Sequence, residues 1–290
     1  MNRRGLLVAG GLGILGAAGS GVGLVEANVL PGKVPLDRAL GRCGDAPPVP
    51  AARATVRQET FRSAARGRDV RLVIATPRAT AAGPLPVVIA LHGWGGDARS
   101  VLTQALDRHL AQAHAQGIPP FAVVGVDGGE MYWHPRASGD DPHRMITAEV
   151  LPRLRREGLR TDRIGVMGWS MGGYGALLLG QSLGPSRVGA IVASSPAVFT
   201  SYDDARATNT RAFDDADDFA RHDVRAALGR LRGIPTWVDC GRSDPFTGTA
   251  RRLRAGLGNP AGGLFGGCHD NTYWQRRAPA QLTFLGRELG

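Results

Sequence analysis

Ser170 lies in the stretch GWSMGGYGA, residues 168–176, between one apolar run, RIGVM, and a second one, LLLG. If the first run is a strand and the second lies on a helix, the serine occupies the sharp turn between them with its hydroxyl exposed. Gly168 and Gly172 flank this turn, where side chains would crowd the strand and the start of the helix. A serine at this position can act as a nucleophile, although taken alone it fits the N-cap of the helix equally well.

A nucleophilic serine needs a base to remove its proton and a carboxylate to orient that base. His269 is the only histidine beyond the run ending in VDCG, and it precedes the last helix in a glycine-rich loop, so we predict that it is the base. Asp244 follows the same run and is the predicted acid. Asp239 is the competing acid but lies within the strand, and Asp270 is too close in sequence to face the imidazole. The chain order Ser, Asp, His is that of α/β-hydrolases.

Attack on an ester also requires two hydrogen-bond donors for the oxyanion. We predict that one is the backbone N–H of Met171, at the positive end of the helix after the serine. The other is expected from the loop HGWGG, residues 92–96, where the N–H of Trp94 is the candidate. His92 could itself be interpreted as catalytic, but with the base position already filled we expect it to fix this loop by hydrogen bonds.

Most of the tryptophans and tyrosines lie in or beside the same loops. Such a concentration predicts an apolar-walled cleft for an acyl or aryl group, with Trp133, Trp169 and Trp274 as candidate substrate-binding residues. Packing beneath the loops explains Trp169 and Trp274 equally well. The full set comprises Trp94, Tyr132, Trp133, Trp169, Tyr174, Tyr273 and Trp274.

These residues can meet only if strands and helices alternate so that the loops gather at one edge of a sheet. Apolar residues recur three and four positions apart in segments 100–116, 142–157 and 171–183, which predicts helices. Between them lie runs rich in Val and Ile, which predict strands. The fold class is therefore α/β, the α/β-hydrolase fold, with a mostly parallel central sheet, helices on both faces, and the site at the carboxyl ends of the strands. The predicted strands are ATVRQETF, DVRLVIATP, LPVVIALHG, FAVVGVDGG, RIGVMGWS, VGAIVASSP, IPTWVDCG and a short one near GGCHD.

Residues 197–232 lie where such enzymes often insert a cap, but the segment is too short for a large lid. Its cluster FDDADDFARHD is better explained by acids at helix starts than by a cation site. We predict no metal site and no cofactor, because the spacing of Cys43, Cys240 and Cys268 matches no zinc pattern. The cysteines fit one disulfide and one free thiol, or three buried thiols.

The motifs SMGGYGALLLG, HGWGG, VDGGEMYW, SDPF and HDNTYW resemble the putative-esterase family of α/β-hydrolases, which is related to S-formylglutathione hydrolases and mycobacterial mycolyltransferases. The resemblance extends from about Val70 to the C-terminus. It implies ester hydrolysis, with Ser170, Asp244 and His269 as nucleophile, acid and base. S-formylglutathione hydrolases are cytosolic, whereas the first residues of this chain predict an export leader. Mycolyltransferases use Glu where this chain offers Asp244.

The first 27 residues predict an export signal or an N-terminal membrane anchor. Two arginines, Arg3 and Arg4, precede 21 uncharged residues, 5–25, in a pattern similar to a twin-arginine signal. The uncharged stretch is also long enough to cross a bilayer. Residues 28–52 are predicted as a linker and residues 53–290 as the hydrolase domain. The protein is thus expected to be an exported, actinobacterial-type family member, secreted or in the cell envelope.

The formal net charge is +10, but the basic residues are scattered and form no stripe with aromatics, so nucleic acid is excluded as a partner. The favoured hypothesis is a serine esterase acting on a small or lipid-like ester, with possible membrane or envelope association. The alternatives are a cell-envelope acyltransferase of the mycolyltransferase type and a catalytically silent envelope-binding module on the same fold. The oligomeric state is left open.

Overall fold

A computed structural model describes residues 33–78 and 83–290. It contains a single eight-stranded sheet within these ranges. Every sequence run predicted as a strand forms one, and the short eighth strand is present. The strands are β1 Thr55–Ser63, β2 Arg68–Thr76, β3 Pro86–Leu91, β4 Ala122–Val126, β5 Arg160–Trp169, β6 Val188–Ser194, β7 Thr236–Gly241 and β8 Ala261–Phe265.

The strand order is β1-β2-β4-β3-β5-β6-β7-β8. Only β2 runs antiparallel to its neighbours, β1 and β4, while β4, β3, β5, β6, β7 and β8 are parallel. The predicted mostly parallel sheet is confirmed. Because β3, β5, β6 and β7 are adjacent and parallel, the loops that follow them open at the same edge.

Helices cover both faces of the sheet. They are α1 Lys33–Ala39, α2 Ser100–Thr103, α3 Leu106–Ala115, α4 Pro142–Arg144, α5 Leu151–Arg156, α6 Met171–Leu183, α7 Tyr202–Thr208, α8 Ala216–His222, α9 Thr247–Gly256 and α10 Asn271–Leu289. A π-helical turn, Met145–Val150, joins α4 to α5, and a 3₁₀ turn, Leu228–Leu231, precedes β7.

Two apolar cores lie on opposite faces of the sheet. The side chains of β3 point alternately into the two cores. Ile89 and Leu91 belong to the core on the face covered by α5, α6 and α9. Val88 and Ala90 belong to the core on the face covered by α2, α3 and α10. Every residue of β3 is buried, as expected for a central parallel strand. The loop that follows β3 is therefore anchored in a fully buried strand.

One predicted helix is interrupted. The expected helix over 100–116 is divided into α2 and α3, since Ala105 adopts a left-handed conformation with φ of 54°. A non-glycine residue in this region is uncommon, and nothing in the alternation of apolar residues indicates it. The break redirects the chain at Gln104.

Part of the predicted linker, residues 28–52, lies within the described residues. The described part of it contains α1, and Cys43 forms a disulfide with Cys268, the residue before His269. Cys240 is a buried free thiol, so of the two alternatives the structure shows one disulfide and one free thiol. The arm of residues 33–45 is thus fastened to the domain at the edge that carries the site. The leader, residues 1–27, lies outside the described residues, and in the described ranges no helix has the length and apolarity needed to span a bilayer.

Candidate active site

Ser170 occupies a strained turn between β5 and α6. Its φ of 55° and ψ of −123° place a non-glycine residue in a region that L-residues rarely adopt. The turn persists because its surroundings leave no room for another path. A Cβ added at Gly172 would lie 1.9 Å from the carbonyl oxygen of Leu91, and one at Gly168 would lie 2.2 Å from the carbonyl oxygen of Gly172. The two motif glycines therefore allow the end of β3, the turn and the start of α6 to touch.

His269 brings the three predicted residues together. Its Nε2 lies 2.8 Å from Ser170 Oγ, and its Nδ1 lies 2.8 Å from Asp244 Oδ2. Since an ionised carboxylate only accepts, the Nδ1–H donates to Asp244 and the Nε2 lone pair faces the serine hydroxyl. Ser170 is 9% exposed and Asp244 is 3% exposed, so both ends of this hydrogen-bonded chain are largely buried, while Ser170 and His269 line a cleft.

The Asp244 carboxylate is held in place from both sides. Its Oδ1 accepts a hydrogen bond of 2.8 Å from the backbone N–H of Phe246, leaving Oδ2 for the imidazole. The loop that carries it is fixed to the loop before His269 by a hydrogen bond of 3.0 Å from Ser243 N–H to the carbonyl of Gly267. A Cβ at Gly241 would lie 2.4 Å from that same carbonyl oxygen, so the two loops are in close contact.

Asp239, the competing acid, is fully buried and turned away from the imidazole. Its carboxylate accepts from Ser194 Oγ at 2.6 Å, from Trp237 Nε1 at 2.5 Å, from Gln281 Nε2 at 2.7 Å and from Tyr273 Oη at 3.1 Å. Burial raises the pKa of Asp239, and these four neutral donors act in the opposite direction. The residue joins β6, β7 and α10, which is a structural task.

The two predicted oxyanion donors lie on either side of Ser170. Met171 is the first residue of α6, and an amide at that position has no carbonyl of its own helix to bond. The loop of Trp94 passes over the serine, since a Cβ added at Gly93 would lie 3.4 Å from Ser170 Cβ. The Trp94 side chain itself is 58% exposed.

His92 fixes this loop, as the sequence predicted. Its Nδ1–H donates to the carbonyl of Gly93 at 2.8 Å, and its Nε2 accepts from the N–H of Gly128, after β4, at 2.9 Å. Burial lowers the pKa of His92, so the neutral imidazole that these two bonds require is the stable form.

Two clefts meet at Ser170 and His269. The tryptophan cleft, about 680 Å³, is walled by Trp94, Trp169 and Trp274. The Tyr132 cleft, about 800 Å³, is lined by Tyr132, Ala197 and Phe246 and bordered by Arg206 and Asn209. The ring of His269 lies between them, 5.1 Å from the Trp274 ring and 5.3 Å from the Phe246 ring. Trp94 borders both clefts and separates them at the mouth.

The prediction for Trp133 is wrong. Its indole is 2% exposed and lines neither cleft. It fills the space left by two glycines, because a Cβ at Gly128 or Gly175 would lie 2.2 Å or 2.6 Å from its ring atoms. Its Nε1 donates to the carbonyl of His92 at 3.3 Å. Trp133 therefore supports the loop of residues 92–96 from below, whereas Trp169 and Trp274 do line a cleft.

Several cleft residues were not anticipated from the sequence. The sequence predicts no individual cleft role for Tyr132, Phe246, Asn271 or Gln104, although Phe246 and Asn271 belong to the motifs SDPF and HDNTYW. Gln104 lines the cleft at the break between α2 and α3, next to the left-handed Ala105, and no local pattern in the sequence indicates this position. Phe246 follows Asp244 by two residues, and this proximity was the one available signal.

The acidic cluster of 213–223 acts at helix starts, as expected. Asp215 caps α8 by accepting from Asp218 N–H at 2.7 Å. Asp218, His134 and His222 lie close enough to offer ligand atoms within 4.8 Å of one another. These groups are already engaged, since the Asp218 carboxylate accepts from Asp214 N–H at 2.9 Å and His134 Nε2 lies 3.0 Å from the carbonyl of Ala212. His222 Nδ1 lies 3.0 Å from the backbone carbonyl oxygen of Asp218 and 2.9 Å from its carboxylate.

The sheet order and the serine turn at the end of β5 define an α/β-hydrolase. Comparison with known folds agrees, at low sequence identity. A ferulic acid esterase superposes with a TM-score of 0.70 and 19% identity, over 81% of this chain and 98% of that one. An S-formylglutathione hydrolase from Agrobacterium tumefaciens gives 0.67 and 15%, over 85% and 100%. An esterase from the archaeon Pyrobaculum calidifontis gives 0.63 and 20%, over 81% and 87%.

The family follows from the sequence itself. The model of the family described as "Putative esterase" matches residues 63–285, so the chain belongs to the putative-esterase family. It is accordingly a carboxylic ester hydrolase. A search of curated protein sequences gave no match.

Proposed function

We propose that the chain is a serine esterase that forms an acyl-enzyme on Ser170, with His269 as the base and Asp244 as the acid. The observation that carries this proposal is the unbroken chain of two 2.8 Å hydrogen bonds from the hydroxyl through the imidazole to the buried carboxylate. Each link has the geometry that general-base activation of a serine requires.

In the first half of the reaction, Ser170 Oγ attacks the ester carbonyl carbon while His269 Nε2 takes the hydroxyl proton. The positive charge on the imidazolium is stabilised by Asp244, which keeps its own charge. The C–O bond to the alcohol then breaks as the imidazolium gives its proton to the departing oxygen. In the second half, a water molecule loses a proton to His269 and attacks the acyl-enzyme, which releases the carboxylic acid and restores the serine.

The N–H groups of Trp94 and Met171 hold the oxyanion in both halves. Donors fixed before the reaction lower the barrier because they need no reorganisation as charge develops. Two features support this assignment: Met171 heads a helix, and the His92 hydrogen bonds hold the Trp94 loop against the serine. Trp169 and Trp274 are proposed to contact the apolar part of a small or lipid-like ester in the tryptophan cleft.

Labelling with a fluorophosphonate tests the nucleophile. The parent protein should be labelled and should hydrolyse p-nitrophenyl butyrate, and Ser170→Ala should lose both properties. Labelling that persists in Ser170→Ala would refute the assignment. A folded parent protein that neither labels nor turns over p-nitrophenyl esters would favour the silent envelope-binding module, and transesterified product with an added alcohol would favour the acyltransferase.

The acid can be tested with a matched pair of variants. Asp244→Asn should lower kcat by as much as about 10⁴-fold, because an amide favours the wrong imidazole tautomer. Asp270→Asn removes the same charge next to His269 but keeps the N-cap, since asparagine also accepts from Tyr273 N–H. Similar losses of kcat in the two variants would contradict the proposed role of Asp244.

We also propose that residues 1–27 direct export and that residues 53–290 form the catalytic domain. The disulfide Cys43–Cys268 supports export, because such bonds persist in oxidising compartments outside the cytosol. N-terminal sequencing of protein recovered outside the cytoplasm would distinguish cleavage from anchoring. Retention of the full-length chain in the cytoplasm would contradict the proposal.

A further inference from the structure

The wall of the tryptophan cleft farthest from β5 is built where the end of α2 meets the start of α10. Gln104 follows α2 and is 3% exposed, although it lines the cleft. Its Nε2 donates to Asn271 Oδ1 at 2.6 Å. Asn271 begins α10, and Trp274 follows three residues later on the same side of that helix. These three residues therefore form one continuous patch of the cleft wall.

Two buried polar atoms in this patch have no hydrogen-bond partner in the described part of the chain. They are the amide oxygen Oε1 of Gln104 and the indole Nε1 of Trp274. The first is an acceptor and the second is a donor. If the two amides exchanged their orientations, Gln104 would still have one terminal atom without a partner, because Asn271 satisfies only the other. Buried polar groups are normally paired, so this patch has capacity for a polar group from outside the chain.

A hydroxyl group is the chemistry that meets both requirements. It can donate to the Gln104 oxygen and accept from the Trp274 N–H through the same oxygen atom. In the observed orientation of the Gln104 amide, a carboxylate would be repelled by the amide oxygen, an ammonium cannot accept from the indole, and an alkyl group satisfies neither atom. A hydroxyl also fits the exchanged orientation, because it can accept from the amide NH₂ as well as donate to the oxygen. The patch is also close to the reacting atoms, since the ring of Trp274 lies edge-on to that of His269, with centroids 5.1 Å apart.

We infer that Gln104, Asn271 and Trp274 form a subsite for an aliphatic hydroxyl of the substrate, close to the scissile ester. This inference rests on the proposed esterase function and narrows its substrate class to hydroxylated esters. The hydroxyl belongs either to the alcohol part, as in a polyol monoester, or to the acyl part, as in a hydroxyacyl ester. The apolar faces of Trp94 and Trp169 pack against the carbon skeleton that carries it.

Two pairs of esters test the subsite and separate the two sources. Glycerol 1-monobutyrate is compared with propyl butyrate for the alcohol side, and ethyl 3-hydroxybutyrate with ethyl butyrate for the acyl side. In one of the two pairs we expect kcat/KM to be about tenfold higher for the hydroxylated ester, as two neutral hydrogen bonds would give. The ratio within each pair is measured on one protein, so it does not depend on the amount of active enzyme.

In Gln104→Met the ratio of kcat/KM between the hydroxylated and the plain ester of the preferred pair should fall to about twofold or less. Methionine keeps the length of the side chain and loses the amide. Gln116→Met makes the same substitution at an exposed residue after α3 and should keep the parental ratio. Trp274→Phe removes the indole N–H and retains an aromatic ring, so it gives a second reading if Gln104→Met does not fold. A preference of at least fivefold that survives both variants would overturn the subsite.

The subsite and the proposed function fail in different ways. Turnover of p-nitrophenyl butyrate without a preference in either ester pair would overturn the subsite and leave the esterase proposal standing. No turnover of any ester, together with no fluorophosphonate labelling, would overturn both.

Discussion

The disulfide Cys43–Cys268 should contribute strongly to stability, because it closes almost the whole folded domain into one loop. The two cysteines are 225 residues apart. Chain-entropy reasoning gives about 5 kcal/mol at 25 °C for a loop of this length. Measured contributions are often smaller, so we expect Cys43→Ala to lower the free energy of unfolding by about 2 to 5 kcal/mol. Over a domain of this size, this corresponds to a fall of roughly 5 to 20 °C in Tm.

The assay is equilibrium urea unfolding without reductant, with Cys240→Ala as the matched control. That control also removes one sulfur but leaves the disulfide intact. We expect it to lower the free energy of unfolding by about 1 kcal/mol, because it truncates one buried side chain. Dithiothreitol should then lower the unfolding midpoint of the parent and of Cys240→Ala, and should leave Cys43→Ala unchanged. If Cys43→Ala unfolds within about 1 kcal/mol of the parent, the loop-closure argument is wrong.

The same variant has a catalytic readout, because Cys268 immediately precedes His269. Losing the bond frees the loop that holds the imidazole 2.8 Å from the serine, and small displacements of catalytic groups are costly. We expect kcat for p-nitrophenyl butyrate to fall by about tenfold at temperatures where Cys43→Ala is still folded. An unchanged kcat would show that the bonds between the β7 and β8 loops position the histidine without the arm.

Three further predictions follow from local contacts. Gly172→Ala should lower the free energy of unfolding by about 3 kcal/mol or more, because its Cβ would lie 1.9 Å from a carbonyl oxygen of β3, whereas Gly248→Ala, with nothing within 4 Å, should be neutral or stabilising in urea denaturation. His92→Gln should lower kcat/KM for p-nitrophenyl butyrate by about tenfold or more, since the oxyanion loop loses its tie to the loop after β4; parental kinetics would contradict this positioning role. Burial, followed by the electrostatic effect of His222, lowers the pKa of His134, so the folded state resists protonation there. Stability should therefore fall by at least about 1 kcal/mol as the pH decreases below about 6.5, and urea midpoints of His134→Gln should show a flatter pH dependence.

The strands and the order of the candidate triad could be predicted because their signals are local. A buried parallel strand must be apolar throughout, and the nucleophile turn demands glycines at fixed offsets, as Gly168 and Gly172 show. Once Ser170 is placed, chemistry restricts the base and the acid to the few residues at later strand ends. The competing Asp239 was excluded on the same ground, namely that it lies inside a strand.

The walls of the site could not be predicted in this way, because they are made by residues that are distant in sequence. Gln104 and Asn271 are 167 residues apart, and neither side chain has a chemical identity that requires the other. Gln104 also precedes the left-handed Ala105, a conformation for which alanine gives no sequence signal. The pairing of Cys43 with Cys268 is of the same kind, since nothing in the sequence identifies which two of the three cysteines are joined.

Trp133 and Trp274 are both tryptophans at the same edge of the sheet, Trp133 in a loop and Trp274 in the first turn of α10, yet only Trp274 lines a cleft. Tyr132 and Trp133 both have positive φ, 53° and 60°, and these two successive left-handed residues turn the indole of Trp133 inward. It can enter because Gly128 and Gly175, 47 residues apart, have no side chains. Gly175 belongs to α6, the helix that begins directly after Ser170. It admits the ring that supports the loop of residues 92–96, so the geometry of the proposed site depends on a bulky residue that lines neither cleft.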